Sequence, residues 1–499
     1  MADAIPDASP TAIGRRIVTK VDWHLVPTLF GTCLFFYMDK GILSSASVFG
    51  LEKDLHLVGQ DYSWSSSVYY FGYLFWMGPS AWMCSRLPIA KYLTLNTLIW
   101  GLIVGLTAAC TSFGGLAANR FFLGVAEAVV NPAFMYITST WYTRDQVPKR
   151  TSLWFTGNSI GGLVAALFAY GVGHISHPLH PWRWMYIILG ILTAIWAGCI
   201  FFLLPDSISR ARFLTEDERQ WAADRVVLAG TGRTEKAPWR WEQAVECLVD
   251  PKTWFIVAIL FCVQLPSGGI QSFANIVIKS FGFSSLESTL LSIPSEVIAA
   301  LSIAITGYFA GRYRNLHCLM IILSVIPVLV GGAMIYKRKH ISKGAQLFAY
   351  FLIQTTFAPV PLLMSLIQTN YKGVTKKMTM TAIFYIVYCA GNIAGPQLFK
   401  SKEAPAYPTA FKAIMACPAL VIALCIAFRI YLLSLNAKRV RVEGLEGSAG
   451  VSGAVAGGKV FEIGHKSSET DMALQQIELQ AEDYDDVTDW KTLGFRYRY

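Results

Sequence analysis

The stretch N-R-F-F-L-G-V-A-E-A-V-V-N-P, residues 119–132, places an arginine and a glutamate inside an apolar run long enough to cross a bilayer. Charged side chains at that depth are costly, and they usually face a cavity, pair with another group or carry function. Arg120 and Glu127 are two helical turns apart, about 10 Å along the axis, so they share a face but cannot form a close ion pair within one helix. We therefore expect each to find a partner in water, a substrate or a neighbouring helix.

The composition is that of a membrane protein. Of the 499 residues, 54% are hydrophobic and 15% are charged, whereas about a quarter of the residues of a soluble domain are charged. The net charge of +10 could suit a nucleic acid, but the basic residues occupy short loops between apolar runs, as at a cytoplasmic membrane face. We therefore expect no nucleic-acid partner.

Most cysteines lie within apolar runs and have no paired spacing. This pattern indicates that they are small buried hydrophobic residues rather than members of disulfides.

Apolar runs of about twenty residues predict an all-α membrane protein with twelve transmembrane helices. They form two six-helix bundles, 23–204 and 253–434, joined by a cytoplasmic linker over 205–252. We expect a cytoplasmic tail over 1–22 and a mostly disordered cytoplasmic tail over 435–499, which is rich in small and acidic residues. Two such halves are typical of transporters whose binding site lies between them.

Six basic groups, from Arg15 to Arg441, fall on one side of this predicted arrangement. This side should be cytoplasmic, which places both termini inside the cell, and we expect the plasma membrane, with the vacuolar membrane as the alternative. The basic loop 337–340 is an exception, because it falls on the opposite side of the membrane.

In the linker, Thr215 and Glu218 fit a capping box. The helix after them, through Arg225, is expected to be amphipathic and to lie at the membrane surface.

Several segments resemble one transporter family. They are M-D-K-G at 38–41, S-R-L-P-I-A-K at 85–91, R-F-F-L-G-V-A-E-A at 120–128 and G-N-I-A-G-P-Q-L-F at 391–399. In order and position they are similar to the major facilitator superfamily, in particular its fungal anion:cation symporter branch of the allantoate permease type. The resemblance covers about residues 21–433. It implies proton-coupled uptake of a small carboxylate, such as an allantoate-, nicotinate- or pantothenate-like compound.

The sequence departs from this family pattern at three positions. Ile42 and Ser45 stand where the family has two asparagines, and Glu296 stands where its members generally carry a small or neutral residue. These differences bear on the cargo, so the resemblance does not name a substrate.

Three carboxylates are candidates for proton coupling: Glu127, Asp39 and Glu296. A buried glutamate poised between desolvation and a nearby cation can load a proton outside and release it inside. The alternative for Glu127 is a structural pair that holds its helix. Asp39 could instead form an interfacial pair with its neighbour Lys40. Glu296 could be a second titrating group, a selector of cargo or an interfacial residue.

The candidates for substrate binding are Arg120, Gln264, Gln271, Asn275 and Asn392. Arginine suits planar carboxylates, although Arg120 could equally tune Glu127 or serve packing. The amides could instead form ordinary interhelical hydrogen bonds.

The candidates for gating are Arg86, Lys91 and Lys40. Arg86 and Lys91 are equally explained as positive-inside topology signals. Lys40 is equally explained as a lysine that reaches the lipid headgroups.

We therefore expect a symporter that works by alternating access, driven by the proton gradient without a cofactor. Its partners are a small anionic substrate, protons and the lipid bilayer, and the fold can work as a monomer. Efflux of a secondary metabolite by proton antiport is the alternative, and a non-transporting nutrient sensor is a third. The sequence has no phosphate-binding G-x-x-x-x-G-K-S/T loop and no histidine or cysteine cluster at metal-ligand spacing, so we expect neither an enzyme nor a metal site. The G-N-S-I-G run at 157–161 lies inside a predicted membrane helix, where it cannot form a hydrolase turn.

Overall fold

The computed structural model describes residues 12–142, 147–175, 177–228, 239–313, 315–455, 488–491 and 495–499. Within these ranges the chain is helical, without strands. The N-terminal half contains α1 (Ala12–Val48), α2 (Leu51–Asp54), α3 (Asp61–Arg86), α4 (Ile89–Leu106), α5 (Phe113–Glu127), α6 (Val130–Trp141), α7 (Val147–Val172) and α8 (Pro181–Leu203). The linker contains α9 (Glu216–Leu228) and α10 (Trp241–Val249). The C-terminal half contains α11 (Pro251–Ser280), α12 (Ser285–Arg312), α13 (His317–Tyr336), α14 (Lys343–Ile353), α15 (Pro359–Asn370), α16 (Val374–Gln397) and α17 (Pro408–Val455).

Each half is a bundle of six spans, as predicted. The fourth span of each half is broken in the middle: α5 and α6 form one span, and α14 and α15 form the other, joined by a 3-10 turn over Gln354–Phe357. In the N-terminal half α1 packs on α7, α3 on α5 and α4 on α8. In the C-terminal half α11 packs on α16 and α17, and α13 packs on α17. Glu127 is the last residue of α5, so it lies at the break in its span.

Ten helices of the described part of the chain are long and apolar enough to cross a membrane. The two further spans of the predicted twelve are α1 and α3, which have 37 and 26 residues. Both are less apolar than the other ten, because α1 carries charges near both of its ends and α3 is rich in serine and tyrosine. Both nevertheless lie within the bundle, where α1 contacts α7, α8 and α11 and α3 contacts α5 and α16.

The two halves meet along three helix pairs: α1 with α11, α3 with α16 and α7 with α12. We call the face that carries the linker helices the linker side and the opposite face the far side. The hydrogen bonds from Tyr62 to the Ser272 carbonyl, 2.6 Å, and from Ser67 to the Ile393 carbonyl, 2.7 Å, join the halves toward the far side. Ser285 also donates to the Val48 carbonyl at 2.9 Å. The halves are therefore in contact near the far ends of α1, α3 and α11.

The predicted capping box of the linker is confirmed. The backbone N–H of Glu218 donates to the Thr215 hydroxyl at 3.4 Å, and the Glu218 carboxylate accepts from the Thr215 N–H at 3.0 Å. Glu218 also pairs with Lys20 of α1. These contacts of Glu218 stabilise the start of α9, and Ala222 and Val226 of the helix pack into the core of the N-terminal half.

Both predicted tails include residues that the structure describes as folded. The first helix begins at Ala12, so the predicted tail over 1–22 is helical from that residue. The last helix continues to Val455, and residues 488–491 and 495–499 pack on the C-terminal half. These last residues are packed rather than disordered, because Asp489 is buried among lysines and Tyr497 is buried in the core. Residues 456–487 lie outside the described residues.

Candidate functional site

The site is built where α1, α3, α4 and α5 converge around two carboxylates. α3 and α5 approach closely, since a methyl group added at Gly124 would lie 1.9 Å from the Tyr69 carbonyl oxygen, and one at Gly72 would lie 2.0 Å from the Phe121 carbonyl oxygen. Only glycine permits backbones to come this near. The approach brings Tyr69 of α3 against Glu127 of α5.

Asp39 and Glu127 are both buried, with 1% and 0% of their surfaces exposed. The Tyr69 hydroxyl donates to Oε2 of Glu127 at 2.5 Å, and the Trp100 indole donates to Oδ2 of Asp39 at 2.8 Å. The two carboxyl groups are electrostatic neighbours. Their remaining oxygens, Oδ1 of Asp39 and Oε1 of Glu127, are buried without a donor.

Two cations lie beside this carboxyl pair. Lys40 is an electrostatic neighbour of both carboxylates, and its ammonium lies over the Phe36 ring, 3.7 Å from the centroid. Arg120 is 3% exposed, donates to the Tyr186 hydroxyl and interacts electrostatically with Asp39 and Glu127. Its Nε is buried without a partner. The expectation that Arg120 and Glu127 each find a partner on a neighbouring helix is confirmed.

A second polar region is the interface cavity, which lies between the halves. Its walls come from α1, α7, α11, α12, α14 and the turn after α14, and they include Tyr37, Gln271, Asn275, Glu296 and Tyr350. Three residues predicted as site residues, Gln271, Asn275 and Glu296, thus share one cavity. Asn275 also joins the halves, since its backbone N–H donates to Ser44 and its side-chain amide to Ser45, both at 2.9 Å.

Glu296 projects toward the N-terminal half. A methyl group added at Gly162 of α7 would lie 2.5 Å from its Oε2, so the absence of a side chain at Gly162 makes room for the carboxylate. The interfacial alternative for Glu296 is therefore wrong, because the residue lines the cavity between the halves.

The remaining predicted residues lie elsewhere. Gln264 and Asn392 are buried where α11 and α16 pack, against Gly391 and Gly268 respectively, and Asn392 donates to the Tyr388 carbonyl of its own helix at 2.8 Å. This placement suits helix packing, the alternative considered for the amides. Arg86 and Lys91 are exposed at the linker side, where the Lys91 N–H donates to Asp206 at 3.3 Å.

Sequence reasoning missed the aromatic partners Tyr69, Trp100 and Tyr186. Aromatic residues are frequent in these spans, where they usually serve packing. Only the contacts between helices distinguish them from other aromatic residues.

No group of three or more metal-ligating side chains lies together in the described part of the chain.

Two bundles, buried charges and a polar cavity between the halves define a multi-pass membrane transporter of the two-bundle class. The chain matches the Major Facilitator Superfamily over residues 28–396, and it belongs to this family. It is thus a transporter rather than an enzyme.

Similar proteins indicate the branch of the family to which the chain belongs. It is 32% identical to allantoate permease of Saccharomyces cerevisiae, across 86% of this chain and 81% of that protein. It is 30% identical to an uncharacterized transporter of Schizosaccharomyces pombe, across 97% and 87%, and to the MFS-type transporter cnsL of Penicillium expansum, across 81% and 77%. The predicted resemblance to the fungal branch that includes allantoate permease is confirmed.

Solved structures share the fold. The D-xylose-proton symporter matches with a TM-score of 0.62 at 14% identity, across 83% of this chain and 98% of that one. A bacterial homolog of the human lysosomal transporter Spinster, in an inward-facing and unoccupied conformation, matches with a TM-score of 0.60 at 15% identity, across 81% and 95%.

Proposed function

We propose that this transporter is a proton-coupled symporter that imports a small organic anion. The observation that carries the proposal is that Asp39 and Glu127 are buried electrostatic neighbours, and each keeps one carboxyl oxygen without a donor. A buried acceptor without a donor is costly, and two adjacent carboxylates cannot readily both be ionised. One proton held between the two oxygens removes both costs.

Charge counting connects this proton to an anion. With both carboxylates ionised, Asp39 and Glu127 balance Lys40 and Arg120, and the four groups sum to zero. With one proton bound to the pair, the same four groups sum to +1. In a low-dielectric site that excess charge attracts an anion strongly. Proton and anion therefore favour each other's binding. Symport follows if the carrier reorients poorly when it holds only one of the two.

In this proposal Arg120 and Lys40 have different roles in binding the anion. A guanidinium can bind a carboxylate through two parallel hydrogen bonds, and Arg120 has a buried Nε without a partner. Lys40 is held over aromatic faces rather than in an ion pair with hydrogen bonds, so it supplies charge at the site.

Alternating access would follow from movement of one half against the other. The contacts Tyr62–Ser272 and Ser45–Asn275 join the halves toward the far side, and we assign this arrangement to a state closed on that side. Because the basic loops lie on the linker side, we propose that this side is cytoplasmic. The plasma membrane and cytoplasmic termini remain part of the proposal.

The proposal is tested by uptake of labelled small carboxylates into cells that lack their own carriers, at acid and at neutral external pH. Acid should stimulate uptake in the wild type. Glu127→Gln should lose that stimulation, and Glu216→Gln, a change at an exposed linker position, should keep it. Acid-stimulated loss of carboxylate from loaded cells would instead favour proton antiport.

A further inference from the structure

The interface cavity contains a carboxyl group that the proposed transport mechanism does not use. Glu296 lines the cavity from α12, and no lysine, arginine or histidine lines the cavity beside it. Its setting contrasts with that of Asp39 and Glu127, which have Lys40 and Arg120 beside them.

The walls of the cavity hold further acceptors and no cation. None of its lining residues, all of which the structure describes, is lysine, arginine or histidine. Oδ1 of Asn275 and Oγ of Ser295 are buried and have no hydrogen-bond partner. Buried polar atoms are normally satisfied, so unpartnered acceptors beside an unpaired carboxylate indicate a ligand that brings donors.

The other walls suit a cationic group. The aromatic residues Tyr37, Tyr350 and Phe357 line the cavity, and aromatic rings attract ammonium groups. Gly41 and Gly162 leave space between α1, α7 and α12. An ammonium group has three donors and no acceptor, which matches a carboxylate, an amide oxygen and a hydroxyl.

We propose that the interface cavity binds the ammonium group of the substrate, with Glu296 as its counter-ion. The cargo is then a zwitterion that carries both a carboxylate and a primary amine. The amine half of this inference rests on the cavity alone. The carboxylate half rests on the proposed function and its Arg120 site.

The test uses the purified full-length protein in lipid nanodiscs and measures binding by isothermal titration calorimetry. The probes are ω-amino carboxylates with three to six carbons, the unsubstituted carboxylates of the same lengths and the corresponding alkylamines. We expect at least one amino carboxylate to bind about tenfold or more tightly than its unsubstituted carboxylate, because the ammonium gains charge-assisted hydrogen bonds. Glu296→Gln should abolish that preference and leave the affinity for the unsubstituted carboxylate unchanged.

Two results would overturn the inference: no preference for an amine-bearing probe in the wild type, or the same preference in Glu296→Gln. Because glutamine has the shape of glutamate, a folded Glu296→Gln protein isolates the charge, and Ser292→Ala on the same wall controls for a change in the cavity without loss of charge. Carboxylate binding that does not depend on pH or Glu127 would contradict the proposed symport and leave the amine preference intact.

Discussion

Asp39 of α1 and Glu127 of α5 are two buried carboxyl groups, each with one oxygen held by an aromatic donor and the other buried without a donor. The aromatic donors fix the orientation of the pair. In the proposed mechanism a proton binds at these donor-less oxygens, and its arrival changes the charge of a site that also contains Lys40 and Arg120.

Removal of the Tyr69 hydroxyl should weaken coupling while the fold is kept. Tyr69→Phe leaves Oε2 of Glu127 without its donor at 2.5 Å, so the ionised form of the glutamate loses a hydrogen bond. We expect acid to stimulate uptake less than in the wild type, because the carboxyl pair loses the donor that orients it. The pH profile of uptake measures this change. Tyr92→Phe, which removes a partly buried hydroxyl that contacts Met83 rather than a carboxylate, should leave the profile unchanged.

Replacement of Arg120 by alanine should destabilise the protein. Arg120 is a buried electrostatic neighbour of Asp39 and Glu127, and removal of one partner from a buried charged group costs about 3–5 kcal/mol. Thermal unfolding in detergent should show a lower midpoint for Arg120→Ala than for the wild type. A protonated carboxyl pair needs the cation less, so the loss should shrink at acid pH. An equal loss at every pH would show that Arg120 serves packing alone.

A side chain at Gly162 should displace Glu296. The added methyl group of Gly162→Ala would lie 2.5 Å from Oε2 of Glu296, which forces the carboxylate out of its position in the cavity. We expect this variant to lose the preference for amine-bearing carboxylates while it remains folded, as checked by binding of the paired probes and by thermal unfolding. Gly171→Ala in the same helix is the matched control, because an added methyl group there meets nothing within 4 Å. An equal preference in both variants would contradict the placement of Glu296.

Asp489 should hold the end of the chain on the C-terminal half. Its carboxylate pairs with Lys252 at 2.6 Å and with Lys376 at 2.7 Å. Burial alone raises the pKa of Asp489, but the two lysines more than offset that effect, so its pKa lies below its usual value of 3.8. Docking is thus strongest above the unfolded value of 3.8 and is lost as the pH falls through the lower, folded value.

Limited proteolysis measures this docking. Asp489→Asn should expose the chain end to protease at neutral pH, because Lys252 and Lys376 then lose a shared counter-ion at a cost of about 3–5 kcal/mol. Asp217→Asn, in the linker, should not. Protection of Asp489→Asn equal to that of the wild type would show that the aromatic contacts of Tyr497 suffice.

The sequence predicted the two halves, the spans and the importance of residues 119–132, because apolar length and charge at depth are local signals. It could not predict that Tyr69 and Trp100 orient the carboxyl pair, since this depends on which faces of α1, α3, α4 and α5 meet. Gly72 and Gly124 allow α3 and α5 to pack closely at this point. An isolated glycine in a membrane helix does not by itself predict such a contact between helices.

The charges near the linker side were harder to interpret. Lys376 belongs to a basic cluster that predicts topology, yet it is fully buried and pairs with Glu246, Asp250 and Asp489. The acidic, small-residue composition of the tail predicts disorder. It does not indicate the segment that packs through Asp489 and Tyr497. Long-range ion pairs of this kind have no periodic signature in the sequence.

The most direct test of the central claim is proton movement in liposomes that contain the purified protein and a trapped pH-sensitive dye. Addition of a transported carboxylate outside should acidify the lumen of wild-type liposomes, and neither Glu127→Gln nor Asp39→Asn should acidify it, whereas Glu216→Gln should behave as the wild type. Carboxylate entry in the wild type without proton entry, or proton entry that persists in both Glu127→Gln and Asp39→Asn, would contradict the account.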